Sequence, residues 1–139
     1  MDLCEKIKSR HLYAKMADKK EEIIYVEISH LDYLLICHVR DIRKERKLTQ
    51  LQLSHNMKLA DGFVSKVETF SERAKYNIRH LKLLSDVFDC DIIDLIPKEV
   101  PIYDIVRLTL KKINKTNKDG SVSNKKETIV IKIEQVENK

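Results

Sequence analysis

The spacing of apolar residues changes twice along the chain and divides it into three. Leu3, Ile7, Leu12 and Met16 recur loosely at helical intervals, and Glu22 to Ile28 (EIIYVEI) has the β-branched and aromatic content of a strand. From Leu31 the period is near 3.6. Leu31, Leu34, Leu35, Val39 and Ile42 form one helix face, also carrying His38, and Ser29 with Asp32 opens that helix as a capping box. Thr49 and Gln52 form a second capping box for a short helix ending near Met57. After a tight turn a third helix begins near Asp61, burying Val64 and Val67 and turning Asp61, Gly62, Ser65 and Lys66 outward. Asn77 caps a fourth helix with Ile78, Leu81, Leu84 and Phe88 inside, and Asp91 caps a short fifth that Pro97 closes. Beyond Pro101 the period drops to 2. Val106, Leu108 and Leu110 alternate with Arg107, Thr109 and Lys111, and Ile129, Ile131 and Ile133 with Val130, Lys132 and Glu134. These predict a β-hairpin across a polar loop, Asn114 to Lys126, centred on Asp119-Gly120. A lone hairpin is marginal in water, so it should pack on the domain, on the Ile23 to Ile28 strand, or on another copy of the chain.

The expected architecture is therefore mainly α, in three parts. These are an N-terminal extension over residues 1–28, a five-helix domain over 29–97, and a C-terminal β-hairpin extension over 98–139. With 139 residues the chain can bury one core without metals or disulfides. Cys4, Cys37 and Cys90 stand far apart and are odd in number, which fits neither a disulfide framework nor a metal site. They read as reduced thiols of a cytoplasmic protein, with no metal and no cofactor. No apolar run reaches membrane-span or signal-peptide length. His38 reads as a packed, hydrogen-bonded residue, because no second ligand is spaced to join it.

Charge changes the picture more by its distribution than by its net value of +5. From Arg43 to Lys82 ten basic residues face four acidic ones, and from Asp86 to Asp94 there are four aspartates and no base. One basic face and one acidic end is the footprint of a phosphate-binding surface.

Ile42-Arg43, Leu48-Thr49-Gln50, Leu53-Ser54, Gly62-Phe63-Val64-Ser65-Lys66-Val67-Glu68, Leu81 with Leu84, and Phe88 to Ile96 (FDCDIIDLI) together set a pattern. In these places the chain resembles the Cro/C1-type (XRE) helix-turn-helix family, over roughly half its length. The resemblance implies a five-helix, lambda-repressor-like domain that reads double-stranded DNA as a homodimeric transcriptional regulator, in the first instance a repressor. It implies that Thr49 and Gln50 meet a backbone phosphate at the start of the second helix. Asp61, Gly62, Ser65 and Lys66 would lie at base edges in the major groove, Lys66 donating to guanine and Asp61 accepting from cytosine. Phe63 either touches a thymine methyl or packs as a half-buried ring on the Thr49 helix. Arg43 and Glu68 would form a buried architectural salt bridge.

Three departures from the family pattern stand out, the first being Asp61, whose carboxylate would weaken non-specific affinity for DNA and so points either to a selective contact or to a helix-capping role. Lys58 occupies a turn position usually held by glycine and must turn left-handed, at a cost of about 1 kcal/mol. Thr69 to Asn77 (TFSERAKYN) replaces the common glycine turn, and its Arg73 and Lys75 offer phosphate contacts. An enzyme is not expected, since the 38 residues after Pro101 are too few for a protease module and no catalytic cluster appears elsewhere. Two alternatives keep the fold: the antitoxin of a toxin-antitoxin pair, and a protein-binding adaptor.

Overall fold

The computed structural model describes residues 21–137; the helical pattern of Leu3 to Met16 lies outside the described residues. In chain order the elements are β1 (Glu22–Ser29), α1 (His30–Glu45), α2 (Gln50–Asn56), α3 (Phe63–Glu68), α4 (Ile78–Phe88), α5 (Ile92–Leu95), β2 (Ile105–Thr116) and β3 (Val122–Gln135).

Local chemistry explains where the helices begin. The Ser29 hydroxyl accepts from the Asp32 amide at 3.2 Å, Thr49 Oγ1 from the Gln52 amide at 3.0 Å, and Asn77 Oδ1 from the His80 amide at 3.0 Å. Asp94 Oδ2 accepts from the Asp91 N–H at 3.0 Å and fastens the start of α5. Each bond satisfies a donor that a helix start would otherwise leave bare.

The buried stripes differ from expectation at two places. On α1 the buried residues are Ile36, Val39 and Arg43, while Leu31 is 51% exposed. On α4 they are His80, Leu84 and Phe88, and Ile78 is 86% exposed. Ile78 is the first residue of its helix, and the inner position of that turn is taken by the capping residue His80.

The expected mainly α class is corrected: the chain is mixed α and β. Among the described residues five helices are present, but so is a three-stranded antiparallel sheet in the order β1-β2-β3, and strand makes up 29% of them. The His30 N–H donates to the Asp104 carbonyl at 2.8 Å, and Glu27 pairs with Arg107 at 3.2 Å. Glu21 pairs with Lys111 at 3.1 Å. The sheet is larger than expected because β2 and β3 run on into segments read as polar loop. Asn114, Lys115 and Thr116, and then Val122 to Lys126, are strand. A ribbon solvated on both faces needs no apolar alternation, so its pattern hides it.

The described residues form two compact units. One comprises Val26–Leu108 with 133–137, and the other 21–25 with Thr109–Lys132. The first holds the helices around a core that includes Ile36, Val39, Leu53, Val64, Val67, Leu84, Phe88, Leu95, Val106 and Leu108. In the second, Thr109 and Leu110 are buried. Among the described residues no helix is long and apolar enough to cross a membrane.

Candidate nucleic-acid interface

α2 and α3 are too short to hold their shape alone. Ser54 joins them. Its buried hydroxyl donates to the Gln50 carbonyl at 3.0 Å and accepts from the Val64 amide at 3.1 Å, so one oxygen belongs to the bonding of both helices. Between them Lys58 takes φ +58°, the left-handed conformation the turn requires, and the Leu59 N–H returns to the Ser54 carbonyl at 3.0 Å.

A second tie runs from α1. Arg43 Nε donates to Glu68 Oε2 at 2.9 Å and Nη2 to Oε1 at 2.8 Å, while Nη1 donates to the Leu48 carbonyl at 2.8 Å. The two side chains are 9% and 4% exposed. Paired forks of this kind are the strong form of a charge-assisted bond, and burial protects this one from screening. The Gln50 amide joins it, donating to Glu68 Oε1 at 3.2 Å. Beside the pair lies Tyr76, whose hydroxyl burial and the Glu68 charge push far above its usual range.

With Val64, Val67 and Glu68 facing inward, α3 and its approach leave Asp61, Gly62, Ser65 and Lys66 exposed. The Lys66 ammonium has no hydrogen bond or ion pair among the described residues, its backbone N–H donating to the Gly62 carbonyl at 3.0 Å. Gly62 has φ −91°, and a Cβ added there would meet nothing within 4 Å, so neither backbone nor packing asks for glycine. No protein-family model matches the chain, and no curated protein or solved structure is similar to it.

The other expected site residues are placed variously. Asp61 Oδ1 lies 2.7 Å from His55 Nε2 of α2, so its carboxylate is already engaged. Phe63 is half-buried, its ring 4.7 Å from His80 and 6.0 Å from Tyr76; its contacts run to α4 and the preceding loop. Thr49 is exposed but uses its hydroxyl as the α2 cap, and the Gln50 amide is turned to Glu68. Lys75 folds back to donate to the Glu72 and Ala74 carbonyls at 2.9 and 3.3 Å, whereas Arg73 is exposed. Lys66 and Arg73 are thus exposed cations, and Ser65 an exposed hydroxyl whose own carbonyl is taken by Thr69 at 2.6 Å.

Sequence reasoning gave no role to Ser54, His55 or His80. A buried hydroxyl serving two helices leaves no periodic trace, and the His55 and Asp61 spacing has meaning only once the turn is closed. Among the described residues no three His, Cys, Asp or Glu side chains converge to hold a metal ion. The Cys37 and Cys90 thiols are free, and burial raises both above the usual thiol range.

Proposed function

We propose that the protein binds double-stranded DNA sequence-specifically, in the cytoplasm, as a homodimeric transcriptional regulator, with α3 as the helix that enters the major groove. One observation carries the reading: Ser65 and Lys66 on a short helix, with Asp61 and Gly62 on its approach, stand exposed, while the inner side of that helix is buried and fixed to two other helices. Side chains held this way meet a base edge without losing much freedom on binding. Gly62, for which the fold has no use, allows close backbone approach to the duplex. The resemblance to the Cro/C1-type family points the same way.

In this reading Lys66 donates to a base edge, Arg73 meets a phosphate, and Gln50 acts by holding Glu68. The test is electrophoretic mobility shift with the DNA upstream of its own coding region, repeated over a range of salt. Lys66→Ala is expected to weaken binding to the preferred site by about 1 to 3 kcal/mol and to random DNA by less. An equal loss on both would make Lys66 a phosphate contact, and no salt-dependent shift of any duplex would remove the proposal.

A further inference from the structure

The hairpin end from Lys115 to Lys126 has features the proposed interface leaves unused. It carries four lysines and one carboxylate in twelve residues, and all of them except Ser123 are exposed. Nothing here contributes to a core. Lys126 is 3.8 Å from Glu22, while Lys115, Lys118 and Lys125 form no ion pair among the described residues. The single carboxylate, Asp119, is spoken for: its Oδ1 accepts from the Ser121 amide at 2.9 Å and from the Ser121 hydroxyl at 2.6 Å. The turn is closed further by Asn117 N–H to the Ser121 carbonyl at 2.8 Å, Gly120 N–H to the Asn117 carbonyl at 3.0 Å, and Asn117 Nδ2 to Ser121 Oγ at 3.0 Å. Gly120 supplies the positive φ, +86°, that the turn needs. The result is a braced turn flanked by unneutralised ammonium groups.

We propose that this hairpin end is a second contact to duplex DNA, made through backbone phosphates. The inference rests on the DNA-binding reading above and adds a site to it. Lysine is a point charge without the planar fork that reads guanine, so the contact is indifferent to sequence. The segment has no aromatic or arginine side chain to stack on unpaired bases, which favours a duplex over a single strand. A two-stranded ribbon fits the width of the major groove, and its exposed turn can equally lie along the phosphates. Such a contact releases counterions, and so it is legible in the salt dependence of affinity.

The experiment compares the full chain with the variant Lys115→Gln, Lys118→Gln, Lys125→Gln. Fluorescence anisotropy is read on the upstream duplex and on a random-sequence duplex across a salt series. The variant is expected to lose affinity by the same factor on both duplexes, and its slope of log K against log salt should be shallower by about 1 per lysine. Unchanged melting would show that the fold is kept, and Lys118→Gln alone, with a slope change of about 1, serves if the triple variant melts early. If the parent chain binds and the substitutions leave affinity and slope alone, the hairpin contact is wrong and the α3 reading stands. If the parent chain binds neither duplex, both fall.

Discussion

Truncating Arg43 to Ala leaves the Glu68 carboxylate buried with only the Gln50 amide for company, and a stranded buried charge typically costs about 3 to 5 kcal/mol. The expected result is a lowered urea midpoint, with any loss of DNA binding following from unfolding. A variant that melts like the parent but no longer binds would place Arg43 on the DNA surface. At this scale the sequence was uneven in what it disclosed. The left-handed turn at Lys58 was legible only through the family resemblance, whereas the outward set Asp61, Gly62, Ser65 and Lys66 could be read from helical spacing, which depends on positions within a few residues. The destinations of Gln50 and Phe63 were hidden. Each is fixed by a partner from a distant segment, Glu68 for one and His80 for the other.

Among the elements, α4 carries a cap that depends on protonation. The Asn77 N–H donates to His80 Nδ1 at 3.0 Å, so the ring must be neutral with that nitrogen unprotonated. Burial and the nearby Arg79 charge lower the His80 value from its ordinary 6.5, the Lys75 carbonyl opposing them. The native ring therefore refuses a proton that the unfolded chain accepts. Above about pH 6.5 His80 adds no slope to stability; as pH falls below that value stability is lost, until the native ring titrates as well. His80→Gln keeps a capping-box side chain and removes the titration. Urea unfolding at pH 7.5 and 5.5 is expected to show a smaller acid loss in the variant than in the parent, and equal losses would exclude this origin. Helix starts were legible because caps are local chemistry. The lengths of β2 and β3 were not, since their lysine-rich ends have the composition of a loop and the geometry of a ribbon.

For the whole molecule, Val106 and Leu108 are fully buried and belong to the same compact unit as the helices. A chain ending at Pro97 loses both, at about 1.5 to 3 kcal/mol for each side chain, and is expected to unfold at markedly lower urea than the full chain. A truncated chain of equal stability would show that the helices need nothing beyond α5. The proposed homodimer has a candidate surface in the β3 residues Ile129 and Ile131, which alternate on one face of the strand and are 40% and 53% exposed. Light scattering at micromolar concentration is expected to give a dimer for the full chain and a monomer for Ile131→Lys; a dimer in both would move the interface elsewhere. The bond from the Val64 amide to Ser54 has a consequence in time as well as in space. Fraying cannot release that proton, because its acceptor sits on another helix and α3 is held from a third through Arg43 and Glu68. α3 therefore has no private melting: the Val64 amide is expected to meet solvent deuterium only when the unit opens as one, and the surface proposed to meet DNA is then either whole or gone.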